Sequence, residues 1–138
     1  MPNTKIREKI HRLPTRAYHG EMTVSVTMCV KARKPLFIDA YIVTQFVRIL
    51  ENAARRWSCW VIYCFMPDHL HLVIHGSNPD ANLWRMLVEF KQKTGFWLSK
   101  YHACGAWQKD FHDHVIRKND DLSAHVRYVL ENPWDIRF

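Results

Sequence analysis

Apolar and polar residues alternate without a break near the start of the chain. Val24, Val26, Met28 and Val30 fall on one side, and Thr23, Ser25 and Thr27 on the other. A period of two marks a half-buried strand, here over residues 21–30. A basic loop over 31–35 follows, and the period then changes. Asp39 stands where its carboxylate can accept from the orphan amides of a first helical turn. Ile42, Phe46, Ile49, Leu50, Ala53 and Trp57 recur behind it as a single helical stripe. Two apolar runs, 60–66 and 69–75, then flank Pro67-Asp68, a pair suited to a tight turn, so they read as a β-hairpin. A second helix is expected over 82–101, with Leu83, Leu87, Phe90, Trp97 and Leu98 inward and Gly95 weakening its middle. Residues 107–117 read as a poorly alternating fourth strand. A last helix starts at the cap Asn119, with Asp120 and Asp121 in its first turn, and stops before Pro133. The order β-α-β-β-α-β-α is that of an α+β, ferredoxin-like split β-α-β fold (β-α-β-β-α-β) with an added C-terminal helix.

The hairpin carries the unusual chemistry. His69, His71 and His75 share one face of its second strand, while Leu70, Leu72 and Ile74 take the other. Side chains two apart on a strand stand roughly 7 Å apart and point the same way. The apolar face suits a core, so the imidazoles are left on a polar, reactive surface.

Composition narrows the setting. A chain of 138 residues suits one domain. The expectation is a basic N-terminal arm over 1–20 and a single domain over 21–138. No apolar run approaches the ~20 residues that span a bilayer, which predicts a cytoplasmic protein with no membrane association. Cys29, Cys59, Cys64 and Cys104 form no CxxC pair, so buried reduced thiols are expected rather than a disulfide framework. The formal charge of +7, from 20 Lys and Arg against 13 Asp and Glu, favours a polyanionic partner without specifying one.

On the last helix, Leu122, Val126, Val129 and Leu130 form the core-facing stripe, and Tyr128 lies away from its centre. Tyr128 and Asn132 are four apart and so are surface neighbours. Spacing alone reads Tyr128 as a half-exposed anchor of the helix. The two hairpin histidines on a basic chain change that balance. Two neutral imidazoles and an amide oxygen can hold a divalent cation with positions left open. Such an ion polarises a phosphodiester, and a tyrosine hydroxyl beside it becomes a usable nucleophile.

MPDHLHLVI resembles the His-hydrophobic-His motif, often written MPNHVHLL, of the single-tyrosine HUH transposases of bacterial insertion sequences. RLPTRAYHGEMTVSVTMCVKARKPLF is similar to the basic arm, first strand and "RPLF" loop of their REP-associated tyrosine transposase branch. WQKDFHDHVIRKNDDLSAHVRYVLENP resembles that branch's tryptophan strand and closing Tyr-x-x-x-Asn-Pro helix. HxH alone is a weak signal; four segments in order are a specific one, and they cover nearly the whole chain. The resemblance implies that His69 and His71 are metal ligands, that Asn132 assists them and that Tyr128 is the nucleophile. It implies Mg²⁺ or Mn²⁺, single-stranded hairpin DNA as substrate, and a 5′-phosphotyrosine link that needs no nucleotide cofactor. It also implies a bacterial protein, nucleoid-associated when bound to DNA, with monomeric and homodimeric relatives both known.

Two departures stand out. Asp68 replaces the motif's Asn, which as a turn residue should be mild. The chain stops at Trp134-Asp135-Ile136-Arg137-Phe138, where relatives continue with an apolar segment, as a truncated or domesticated copy would. A rival reading is therefore a catalytically silent protein that binds hairpin nucleic acid. Arg12, Arg16, Arg85, Lys91 and Lys93 are candidate phosphate contacts, with a solvated surface as the plain alternative for each. His112 and His114 form a second HxH pair, expected to be structural or DNA-contacting because no closed zinc spacing accompanies it. His75 is expected to be supporting or superficial.

Overall fold

A computed structural model describes residues 17–102 and 105–116. The elements are β1 (Thr23–Cys29), α1 (Ala40–Arg56), β2 (Cys59–Met66), β3 (His69–Gly76), α2 (Leu83–Tyr101) and β4 (His112–Ile116). The four strands form one sheet in the order β2-β3-β1-β4, and every neighbouring pair is antiparallel. That is the strand order of the split β-α-β arrangement read from the sequence. The added C-terminal helix lies outside the described residues. No helix among the described residues is long and apolar enough to cross a membrane.

Local chemistry explains most of the boundaries. The Asp39 carboxylate accepts from the Tyr41 amide at 2.9 Å and starts α1, and Asn82 does the same for Arg85 at the head of α2. Pro67 and Asp68 form the turn between β2 and β3. Val24, Val26, Met28, Leu70, Leu72 and Ile74 point to the helices and are buried with Phe46, Leu50, Leu83, Met86, Leu87 and Phe90. Phe46 sits among Phe37, Phe90, Trp97 and Trp107, with ring centroids 5.5–6.3 Å apart. A second, smaller cluster of Cys64, Met66, Val73 and Ile116 lies on the sheet's other face. Cys29, Cys59 and Cys64 are buried and form no disulfide, and burial pushes the Cys59 thiol up to about 11.

Three differences from the sequence reading have physical causes. The fourth strand is His112–Ile116, not 107–117. Trp107 instead turns its ring into the core, donates its indole N–H to the buried Thr94 hydroxyl at 2.7 Å, and bridges Val30 alone. The basic loop contains a short 3₁₀ turn, Lys31–Arg33, and a second one, Leu36–Ile38, follows it. Packing also begins within the segment read as an arm. Tyr18 is buried, its ring stands 5.7 Å from Trp84, and its hydroxyl donates to Asp113.

Two glycines in this frame should respond oppositely to alanine. A Cβ at Gly76 would lie 1.8 Å from the Gly20 carbonyl oxygen, backbone that cannot step aside, whereas one at Gly95 meets nothing within 4 Å. Denaturant unfolding should show Gly76→Ala losing about 1–3 kcal/mol or more. Gly95→Ala should gain about 0.5–1 kcal/mol, because it removes backbone freedom from the unfolded chain.

Candidate metal centre

β3 alternates across the sheet. Its even-numbered residues fill the helix-side core, so His69, His71, Val73 and His75 face the other way. β3 is interior to the sheet, with His71 opposite Thr27 on β1 and Cys64 on β2. The two imidazoles that share this face converge. His69 Nε2 and His71 Nε2 are 3.1 Å apart, and the rings meet edge to face at 4.7 Å between centroids. His71 is buried and the His69 side chain is only 16% exposed.

The far nitrogens of both rings are engaged. His69 Nδ1 is 2.6 Å from the Asp68 carboxylate, whose other oxygen accepts from Arg33 Nε at 2.9 Å. The Arg33 bond, with the His69 bond adding to it, holds the Asp68 carboxyl below the usual carboxylate range. A carboxylate ion-paired with Arg33 can only accept, so a neutral His69 carries its proton on Nδ1 and turns the Nε2 lone pair toward His71. His71 Nδ1 is 3.1 Å from the Thr27 hydroxyl. Imidazoles with one nitrogen tied back and the other converging have the arrangement seen around bound metals.

The donor set fits a divalent cation. Cis donors about 2.1 Å from an octahedral ion lie roughly 3.0 Å apart, close to the observed spacing of the two Nε2 atoms. Imidazole nitrogen suits Mn²⁺, while open positions for oxygen donors suit Mg²⁺ as well. Among the described residues no group of three or more His, Cys, Asp or Glu side chains could hold a metal. Two imidazoles would fill two positions of such an ion and leave the others open to oxygen donors.

The other candidate residues divide clearly. Tyr128, Asn132, Arg12 and Arg16 lie outside the described residues. Arg85, Lys91 and Lys93 are on α2, across the sheet from the histidine pair. Arg85 stacks over Trp57 at 5.7 Å, Lys91 donates to the Lys109 carbonyl, and Lys93 pairs with Glu89 at 3.5 Å. His75 is at the other end of β3, bonded to the Thr23 hydroxyl at 2.8 Å and beside Trp60. His112 is exposed on β4, opposite Thr27. Sequence reasoning placed the two imidazoles on one face and missed the groups that hold them. Asp68 read as a turn residue, Arg33 as one basic side chain among several, and Thr27 as the polar side of a strand.

Comparison with known proteins places the chain in a family and a fold. Residues 18–132 match the family model described as "Transposase IS200 like". A candidate REP-associated tyrosine transposase of Haemophilus influenzae is 31% identical over 84 residues, 53% of this chain and 48% of its own length. The chain thus spans about half the length of that curated relative. A solved REP-associated tyrosine transposase bound to a REP hairpin superposes with a TM-score of 0.68 at 20% identity, covering 86% of this chain and 70% of that one. A candidate transposase of Deinococcus radiodurans superposes at 0.58 and 16% identity, covering 88% of this chain and 97% of its own. At these identities the two structures speak for the fold.

The Arg33–Asp68 pair has a testable pH dependence. Asp68 has a depressed pKa in the folded state, so the stability it adds is complete above the unfolded carboxylate's pKa. It is lost as pH falls through the lower, folded value. A double-mutant cycle with Arg33→Ala and Asp68→Ala should give a coupling of about 0.2–1 kcal/mol at pH 7, modest because Arg33 is half exposed. The coupling should shrink as pH is lowered below about 4. A coupling that is zero at neutral pH, or unchanged in acid, contradicts the assignment.

Proposed function

The chain belongs to the IS200-like transposase family, and we propose that it nicks and rejoins single-stranded DNA by metal-dependent tyrosine transesterification. The observation that carries this reading is the pair of converging imidazoles, His69 and His71, on a chain whose family match runs from residue 18 to 132. The net charge of +7 suits a polyanionic substrate. The proposed substrate is single-stranded DNA containing an imperfect hairpin, a choice guided by the solved neighbour described as bound to a REP hairpin.

In this reading His69 and His71 hold Mg²⁺ or Mn²⁺, with the Asn132 side-chain oxygen as a further donor. The ion supplies polarisation of a non-bridging phosphate oxygen and stabilises charge as it develops. Asp68 and Thr27 hold the two imidazoles in place, and Arg33 holds Asp68. Tyr128 provides the attacking hydroxyl oxygen. Its bond to phosphorus forms as the bond from phosphorus to the 3′ oxygen breaks. The phenolic proton passes to solvent, and the departing oxygen takes one up as a 3′-hydroxyl. The 5′-phosphotyrosine link retains the energy of the broken bond, so a 3′-hydroxyl can attack it and rejoin strands without a nucleotide cofactor.

Labelled hairpin oligonucleotides incubated with Mn²⁺ or Mg²⁺ and run on a denaturing gel test the reading. A metal-dependent, protein-linked band is expected. It should be absent with Tyr128→Phe, while hairpin retardation on a native gel persists. His69→Ala should lower the yield on the order of 100-fold or more, as loss of a ligand implies. Equal covalent product from Tyr128→Phe would sink the proposal. Retardation by the wild-type chain with no covalent band under either metal would favour the non-cleaving hairpin binder.

A further inference from the structure

His69 and His71 are held by chemically different partners. The Asp68 carboxylate is ion-paired with Arg33 Nε at 2.9 Å and can only accept a hydrogen bond. The Thr27 hydroxyl can donate or accept by rotating about its C–O bond. One ring is therefore confined to a single tautomer, and the Thr27 hydroxyl imposes none on the other.

The backbone around Asp68 is built to hold this asymmetry. Val30 N donates to the Asp68 carbonyl and Phe37 N to the Pro67 carbonyl, both at 2.9 Å, so the 31–36 loop is clipped at each end to the hairpin turn. Between the clips, Ala32 (φ 60°) and Arg33 (φ 53°) are successive non-glycine residues in the left-handed region. Such strain persists where surrounding structure imposes it, and it concentrates at functional sites. Here it turns Arg33 back so that Nε reaches Asp68 at 2.9 Å and a terminal nitrogen reaches Cys29 Sγ at 3.7 Å.

We propose that Arg33 and Asp68 are positioning residues that lock His69 as its Nδ1–H tautomer, whereas Thr27 lets His71 change tautomer as the site fills. In the metal-free protein His71 Nε2–H donates to the His69 Nε2 lone pair, and the Thr27 hydroxyl donates to His71 Nδ1. When a divalent cation enters, the His71 proton moves from Nε2 to Nδ1 through solvent. Thr27 rotates to accept it, and both Nε2 lone pairs face the ion. No net proton is released from the pair. The cation half of this inference rests on the metal reading above, and the metal-free tautomers do not.

The test uses the full chain, ¹⁵N-labelled and stripped with chelator, at about pH 8, above the ordinary imidazole range. Long-range ¹⁵N–¹H correlation spectra should show His69 as Nδ1–H and His71 as Nε2–H. Zn²⁺, a diamagnetic probe, should convert His71 to Nδ1–H and leave His69 unchanged. Asp68→Ala should release the His69 tautomer and weaken Mn²⁺ binding, read from the free-ion EPR signal, about 10- to 100-fold. Asp68→Asn keeps an acceptor oxygen and a turn residue, so it should restore most of both. Thr27→Val should weaken Mn²⁺ binding about 10-fold while the His69 tautomer stays fixed. His69 found as Nε2–H in the metal-free wild type, or wild-type Mn²⁺ affinity in Asp68→Ala, would overturn the inference. Expected tautomers and Mn²⁺ binding without any covalent DNA product would support it and overturn the strand-transfer reading instead.

Discussion

A strand has only two faces, and β3 uses them for incompatible purposes. Leu70, Leu72 and Ile74 fill the main core, and the residues between them put imidazoles on the opposite surface. A slip of one residue in register would exchange the two sets, burying histidines among aromatic rings and exposing leucines. Both neighbours restrain this, since β3 is paired on one edge with β1 and on the other with β2. The convergence of His69 and His71 thus follows from the same packing that stabilises the domain. A site on an interior strand is also more rigid than one carried by a loop.

The architecture was readable because its signals are periodic. Alternation from Val24 to Val30, the stripe from Ile42 to Trp57, and Pro67-Asp68 between two apolar runs each correspond to an element found close to where it was expected. Trp107 was misread because a large apolar residue next to a strand pattern extends it. Its partner Thr94 lies thirteen positions earlier, on α2, where spacing along the chain gives no hint of a hydrogen bond. Motif and spacing put His69 and His71 side by side on one face. The supporting shell was hidden for a different reason: Thr27 and His71 are forty-four positions apart, and only sheet register makes them neighbours. Arg33 reaches Asp68 through a left-handed turn formed without glycine, the residue that would have announced it.

The exchange of Asn for Asp at position 68 also looks different in three dimensions. As a turn residue it is a conservative change, since both side chains suit the position. As a neighbour of His69 Nδ1, it introduces a negative charge that Arg33 partly balances. The local cluster of Arg33, Asp68 and the two imidazoles therefore answers to electrostatics as well as to turn geometry. The α2 cations Arg85, Lys91 and Lys93 stand on the helical layer and take no part in that cluster.

The strand order also dictates when this surface comes into being. β1 leaves the ribosome first, yet both of its neighbours, β3 and β4, come much later in the chain. The β2–β3 hairpin can close locally within microseconds, bringing Asp68 and His69 together early. Thr27 and Arg33 join only when the distant first strand docks, a step burdened by the entropy of closing a long loop. A nascent chain therefore carries its two histidines for some time without the partners that orient them. The geometry proposed to capture an ion therefore arrives only with completion of the sheet, and immature chains lack it.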